Sequence, residues 1–156
     1  MKIYRGTIIA SIVFILFQIL SSGTVMANSS NTGTFESALK THVDAIANRN
    51  WPAFESTLTS AKNLTFVQPN GKLSTTTADF KRQMQTWFAD KDWSWNLEPL
   101  SKEIITNTGI AIFRVTYNDV DQLGKPVVLK YLLTLVFVKE ASGWKLMHDQ
   151  NTMLAK

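Results

Sequence analysis

The sequence predicts an α+β fold in which N-terminal helices pack across one face of a curved antiparallel sheet. Two observations predict it. Apolar residues recur at helical spacing in the first half of the chain, and they alternate at strand spacing over four long stretches of the second half. No repeat or linker separates the helices from the strands, which is typical of one α+β domain. We place this domain at residues 34–156.

The N-terminal segment has the composition of a cleavable export signal. Lys2 and Arg5 precede an apolar run, residues 8–20, and small residues follow at the positions that a signal peptidase recognises. The run is shorter than the roughly 20 residues that a membrane-spanning helix needs. We therefore expect residues 1–27 to be removed from an exported protein, periplasmic or secreted, that does not stay in the membrane. Residues 28–33 are polar, and we expect a disordered tail there.

Composition excludes several kinds of site. The formal charge of +4 includes two basic residues of the export signal, and the other lysines and arginines are scattered singly, which argues against a nucleic-acid surface. The chain has no cysteine, so disulfides and thiolate metal sites are excluded. Its two histidines, His42 and His148, are too distant in the chain to form a metal-binding signature. We predict no metal and no cofactor.

Three helices are predicted before the main sheet. The first begins after Thr34 and has His42 on its apolar stripe, either as a hydrogen-bonded core residue or as a pocket residue. Asn50-Trp51-Pro52 breaks this helix and starts the second, since proline is tolerated in the first turn of a helix and not further in. The third follows a short strand and a turn, is capped by one of the threonines at 76 and 77, and buries Trp87.

The second half of the chain reads as an antiparallel meander. Pro99 cannot donate a ladder hydrogen bond, so it predicts a bulge in the first strand. A turn is predicted at residues 107–109, and another at Ser142-Gly143. The four predicted strands are Trp93–Thr106, Ile110–Asp119, Val127–Lys139 and the stretch that begins at Trp144.

Strand alternation predicts the lining of one concave pocket. In the last strand, alternation puts His148 and Gln150 on the apolar face and Asp149 on the opposite face. The other predicted pocket residues lie on the apolar faces of their strands, or on the two helices that close the pocket. The complete predicted set is His42, Trp87, Trp95, Phe113, Tyr117, Tyr131, Leu133, Trp144, His148 and Gln150.

The order of elements, with SALKTHVDAIANRNWPAF near the start and GWKLMHDQNT at the end, resembles the SnoaL-like branch of the nuclear transport factor 2-like superfamily. The resemblance covers roughly Thr34 to Thr152. It implies a cone-shaped α+β barrel whose helices close a bent sheet over an apolar cavity. The sequence departs from the usual pattern at Asn50, where many relatives have an aspartate. The superfamily includes isomerases, dehydratases, cyclases and non-catalytic association domains, so the resemblance implies the fold more narrowly than the function.

Two functions remain open from the sequence. One is an exported domain that binds a small apolar molecule or a protein partner without catalysis. The other is an isomerase, cyclase or dehydratase that uses His148 as a general base, because a histidine titrates near neutral pH. The first is favoured, since alternation places no carboxylate beside His148 in the pocket.

The strand that includes Tyr131–Val138 is apolar on both faces. Helices can cover only one of these faces, and an exposed apolar sheet face usually has a partner. We therefore predict a homodimer formed through the convex face of the sheet, which the resemblance also implies.

Overall fold

The computed structural model describes residues 33–155. The predicted export signal, residues 1–27, and the predicted tail except Gly33 lie outside the described residues. No helix among residues 33–155 is long and apolar enough to cross a membrane. The elements, in chain order, are α1 (Phe35–Ala47), α2 (Trp51–Ser56), β1 (Asn63–Val67), β2 (Leu73–Thr76), α3 (Thr77–Ala89), β3 (Ser94–Ile105), β4 (Thr108–Val120), β5 (Pro126–Glu140) and β6 (Gly143–Met153).

Each helix begins at a polar cap. The side chains of Thr34, Asn50 and Thr76 each accept a hydrogen bond from the backbone N–H three residues further along the chain, at 3.1–3.2 Å. These bonds satisfy N–H groups that have no partner inside the helix. The caps at Thr34 and Thr76 confirm the predicted helix starts. Asn50 accepts the capping hydrogen bond at the start of α2 from the backbone N–H of Ala53.

The strands form one six-stranded sheet in the order β2-β1-β6-β5-β4-β3. β1 runs parallel to β6, while the other pairs are antiparallel. The predicted purely antiparallel sheet is therefore wrong in one pairing, because the short β1–β2 hairpin adds to the free edge of β6. The sheet is also not closed into a barrel, since β2 and β3 are its two edges and do not pair. The predicted α+β class, with helices against one face, is confirmed.

The core lies between the helices and the inner face of the sheet. Phe35 of α1 packs against Phe137 of β5 and Trp144 of β6, with ring centroids 5.7 and 5.5 Å apart. Phe54 of α2 contacts Phe88 of α3, with centroids 4.9 Å apart. These contacts attach all three helices to one apolar layer, and burial of aromatic area is the main stabilising term in such a layer.

Two irregularities in the meander differ in how well the sequence predicted them. The register between β3 and β4 shifts after Pro99, which confirms the predicted bulge. The turn between these strands is made by Thr106 and Asn107, not by residues 107–109. Thr106 adopts a φ of 54°, so the chain reverses one residue earlier than the glycine at 109 suggested.

A third irregularity lies in β6. Phe137 pairs with Leu146 while the adjacent Val136 pairs with His148, so Met147 is an extra residue on β6. Such a β-bulge moves every later side chain of the strand to the opposite face.

Candidate functional site

A cavity of about 430 Å³ lies between the helices and the inner face of the sheet. This volume falls in the range of small-molecule sites. α3 and β5 contribute the largest shares of the walls, and α1, α2, β1 with the turn after it, β3, β4 and β6 complete them. The cavity is lined by Ile46, Phe54, Phe66, Gln68, Pro69, Gln83, Met84, Thr86, Trp87, Trp95, Tyr117, Leu129, Tyr131, Leu133, Asp149 and Asn151.

The cavity is mainly apolar, and Asp149 is the one carboxyl group among its described lining residues. Asp149 is 8% exposed and accepts a hydrogen bond at 3.0 Å from Asn151 Nδ2. Burial raises the pKa of Asp149 to about 7, against the lowering effect of the Asn151 hydrogen bond. Asn151 is held in turn, because its Nδ2 also donates to the carbonyl of Val67 at 3.0 Å. Asp149 is thus a carboxyl group that changes charge near neutral pH inside a mainly apolar cavity.

The Tyr131 phenol lines the same cavity as Asp149. Burial raises the pKa of Tyr131, and the charge of Asp149 raises it further. The hydroxyl therefore stays protonated at physiological pH and can donate a hydrogen bond. The buried indole N–H of Trp95, on the neighbouring part of the inner face, acts on Tyr131 and partly offsets the raised pKa.

The cavity-lining residues Trp87, Trp95 and Tyr117 form a surface that we call the aromatic wall. Trp87 Nε1 donates to the Tyr117 hydroxyl at 3.2 Å, and that hydroxyl donates to Asp119 Oδ2 at 2.6 Å. Burial and the Asp119 carboxylate raise the pKa of Tyr117. The Trp87 ring meets Trp95 nearly edge-on, with centroids 6.2 Å apart and planes at 86°.

The aromatic wall is supported from outside the cavity. Trp93 stacks on Trp87, with centroids 4.3 Å apart and planes at 15°. The guanidinium of Arg49 lies over Trp93, 4.1 Å from the ring centroid, and Arg49 Nη2 donates to the Trp93 carbonyl at 2.7 Å. This layering restricts the orientation of Trp87.

Half of the ten predicted pocket residues line the cavity. Alternation in β3, β4 and β5 correctly placed Trp95, Tyr117, Tyr131 and Leu133, and the helical stripe correctly placed Trp87. Two more lie on the same face of the sheet but within the core instead of along the cavity. These are Phe113, which is 8% exposed, and Trp144, which packs on Phe35.

His42 is a core residue, which was one of the two interpretations left open. Its Nδ1 lies 2.7 Å from Thr57 Oγ1, and that hydroxyl donates to the Phe54 carbonyl at 2.6 Å, so His42 Nδ1 is the donor to Thr57. His42 Nε2 is buried and has no hydrogen-bond partner in the described part of the chain. Burial lowers the pKa of His42 to about 3. A histidine held neutral in this way is a structural group.

The predicted positions of His148 and Gln150 in the pocket are wrong. The bulge at Met147 turns both side chains to the outer face of the sheet, where His148 Nε2 lies 3.2 Å from Gln150 Oε1. The same bulge turns Asp149 and Asn151, which alternation had placed outside, into the cavity. A carboxyl group therefore stands in the cavity where a histidine was predicted.

Sequence comparison connects this architecture with a known family. The sequence profile of the SnoaL-like domain matches residues 36–156. The chain belongs to the SnoaL-like domain family. No curated protein sequence matches it.

Solved structures show the same fold as this SnoaL-like domain at low sequence identity. A candidate dehydratase of the NTF2-like family from Streptomyces avermitilis is 16% identical, with a TM-score of 0.65 over 76% of this chain and 93% of that one. An NTF2-like superfamily protein from Salmonella enterica serovar Typhimurium LT2 is 15% identical, with a TM-score of 0.64 over 76% and 87%. The CaMKII hub of S. rosetta is 22% identical, with a TM-score of 0.58 over 76% and 93%. Such likeness shows the fold alone.

The SnoaL-like domain has five polar cavity residues that the sequence did not identify: Gln68, Gln83, Thr86, Asp149 and Asn151. The two glutamines bond to each other, and Gln83 Nε2 also donates to Ser74 Oγ at 2.8 Å. Their signal in the sequence was weak, because glutamine at the end of a strand or on a helix is ordinary surface composition. No group of three or more potential metal ligands occurs among the described residues.

Proposed function

We propose that this SnoaL-like domain binds a small, mainly apolar molecule in the cavity, with the polar group of that molecule directed at Asp149. The observation that supports this most is the isolated carboxyl group in an apolar cavity of small-molecule size. A buried carboxyl with one hydrogen-bond donor is costly to the fold. A side chain of this kind is more often kept for a function than for stability.

An uncharged apolar dye, Nile red, tests cavity binding. Leu133 and Lys130 lie on the same strand and face opposite sides of the sheet, so they make a matched pair of substitutions. We expect Leu133→Trp to fill the cavity and reduce dye binding at least about 5-fold, and Lys130→Trp to leave it nearly unchanged. Equal dye binding by the two variants would place the binding surface elsewhere.

A second candidate function is proton transfer at carbon by Asp149. Its pKa of about 7 is suited to a general base near neutral pH, and the Tyr131 hydroxyl lines the same cavity as a hydrogen-bond donor. In this proposal the Asp149 carboxylate takes a proton from the carbon beside a carbonyl group, the carbonyl oxygen becomes an enolate oxygen, and the same carboxyl returns the proton. In this proposal Asp149 has the role of general base that was predicted for His148.

Deuterium exchange at the α-carbons of cyclohexanone tests proton transfer without knowledge of the natural substrate. We expect the protein to accelerate the exchange in D₂O, as followed by NMR, and Asp149→Asn to abolish the acceleration. His148→Asn should leave the rate unchanged, because its side chain lies on the other face of the sheet. Acceleration that persists in Asp149→Asn would exclude Asp149 as the base.

We further propose that two copies associate through the outer face of the sheet. Several apolar residues near the centre of this face are partly exposed, and Arg114, Thr134 and His148 lie among them. A structural neighbour described as a CaMKII hub supports the proposal. The partly exposed apolar residues are Ile110, Ile112, Leu132, Val136 and Val138.

Export remains part of the proposed function, on the composition of residues 1–27. N-terminal sequencing of protein from the periplasm or medium should give Asn28 as the first residue. Protein that retains Met1 and stays with the membrane fraction would contradict this proposal.

A further inference from the structure

The described cavity lining contains an acidic side chain and no basic one. Asp149 is the single carboxyl group among the described lining residues, and no lysine, arginine or histidine is among them. No ion pair within residues 33–155 involves Asp149, and its hydrogen-bond donor, Asn151, is uncharged. When Asp149 ionises, its negative charge therefore has no cation of the protein beside it.

Asp149 and Asn151 both contribute acceptor oxygens to the cavity lining. The Nδ2 group of Asn151 already donates to Val67 and Asp149, which leaves the amide oxygen of Asn151 as an acceptor. The second carboxyl oxygen of Asp149 has no donor in the described part of the chain. The Tyr131 hydroxyl can act in either role. A ligand with N–H donors or a positive charge therefore matches this end of the cavity better than an anion does.

The aromatic wall also favours a cation. Trp93, which is not among the lining residues, stacks on one face of Trp87. Trp95, which lines the cavity, meets Trp87 nearly edge-on. The Tyr117 hydroxyl donates to a carboxylate, which increases the electron density of its ring. Faces of tryptophan and tyrosine attract ammonium groups, most strongly where water is excluded.

We propose that the ligand of this cavity is an apolar molecule with one ammonium group, which lies between the Asp149 carboxylate and the aromatic wall. This inference rests on the proposed function, that the cavity binds a small molecule. The apolar part of the ligand contacts Phe54, Phe66 and Leu133, which line the same cavity. Asp149 and the aromatic wall determine the specificity for charge.

The proposal predicts tighter binding of a cation as Asp149 ionises. The groups that line the cavity from the helices are Ile46 of α1, Phe54 of α2, and Gln83, Met84, Thr86 and Trp87 of α3, none of which changes charge. Among the sheet residues that line it, Tyr131 and Tyr117 have pKa values raised by burial and stay neutral. The change of charge in the described lining near pH 7 is therefore that of Asp149.

Three naphthyl probes of similar size test the charge preference by isothermal titration calorimetry: the naphthylmethyl-trimethylammonium cation, naphthyl methyl ketone and the naphthylacetate anion. The ammonium probe has a permanent charge, so any pH dependence comes from the protein. At pH 8 we expect the ammonium probe to bind about 10-fold more tightly than the ketone, and the anion to bind most weakly. Its affinity should fall about 5-fold or more between pH 8 and pH 5.5, while that of the ketone stays constant.

Two variants test whether Asp149 is responsible for the preference for the ammonium probe over the ketone. Asp149→Asn has nearly the same shape and should bind the ammonium probe more weakly than the parent protein does at pH 8, with a smaller preference over the ketone and without the pH dependence. Glu103→Gln removes an exposed carboxylate far from the lining and should behave as the parent protein. If the ketone binds as tightly as the ammonium probe to the parent protein, the charge preference is wrong and the binding function stands. If none of the three probes binds, the proposed binding function itself is contradicted.

Discussion

Leu146 and Asp149 point to the same face of the sheet although three positions separate them along β6. In an unbroken strand an odd separation puts two side chains on opposite faces. Here Met147 is an extra residue between the pairs Leu146–Phe137 and His148–Val136, so the alternation is reversed after it. This single insertion brings Asp149 into the cavity and turns His148 away from it.

Asp149→Asn is expected to stabilise the protein at alkaline pH. Burial raises the pKa of Asp149 from 3.8 to about 7, so between these values the folded state holds a proton that the unfolded chain has lost. The free energy of unfolding therefore falls as the pH rises from about 4 to 7, by roughly 1.4 kcal/mol for each pH unit. We expect the variant to exceed the parent protein by about 2–4 kcal/mol at pH 8 and to match it near pH 4, in urea unfolding. A smaller free energy of unfolding for the variant at pH 8 would contradict the unpaired burial of this carboxyl group.

His42→Asn is expected to protect the fold from acid. Burial lowers the pKa of His42 from 6.5 to about 3, so between these values the unfolded chain binds a proton that the folded state does not. The stability contributed by neutral His42 is therefore lost as the pH falls from 6.5 towards 3, at roughly 1.4 kcal/mol for each pH unit. Asparagine keeps an N–H donor for Thr57 and does not titrate, but it loses ring contacts with Phe54 and Phe137. The measurement is the slope of the free energy of unfolding against pH, because the lost ring contacts change the absolute value as well.

The two titrations have opposite signs and overlap between about pH 4 and pH 6.5. The parent protein should therefore show nearly constant stability in this window, as far as these two groups determine it. Asp149→Asn should lose stability as the pH falls through it, and His42→Asn should gain. If the free energy of unfolding changes with pH in the same direction in both variants, the pKa shift of at least one of the two groups has the wrong sign.

Gly109→Ala is expected to destabilise the core. An added Cβ would lie 2.5 Å from Cδ2 of Phe35, and the Phe35 ring is fixed by Phe137 and Trp144. Overpacking of this kind costs about 1–3 kcal/mol. Gly33→Ala, where nothing lies within 4 Å of the added carbon, is the matched control and should change stability little. Equal melting temperatures for the two variants would show that α1 moves away from β4 without cost.

Leu132→Glu tests association through the outer face of the sheet. Leu132 pairs with Arg114 on β4 and lies near the centre of that face. We expect the parent protein to have a dimer mass in light scattering at tens of micromolar, and the variant to have a monomer mass, because association would bury the new carboxylate and its desolvation is costly even beside Arg114. Lys130→Glu, near the edge of the same face, is the control and should keep the dimer. A monomer mass for the parent protein would contradict the proposed homodimer.

Local chemistry determined the elements of this protein. Thr34 and Thr76 cap helices because their hydroxyls accept the first free N–H groups, whatever the rest of the chain does. Strand alternation, which depends on the geometry of one strand, likewise placed Trp95, Tyr117, Tyr131 and Leu133 along the cavity. These predictions needed only neighbours in sequence.

Partners distant in sequence decided the rest. β1 adds to β6 in parallel, so Phe66 lies beside Asp149, and no local pattern predicts that pairing. Both halves of β6 pair with β5, one on each side of Met147. Residues 145–149 contain no glycine or proline that would predict a bulge there. One extra residue reverses the face of every side chain after it. The sequence alone therefore determined that β6 ends beside a pocket, and the tertiary pairing decided that Asp149, not His148, lies inside it.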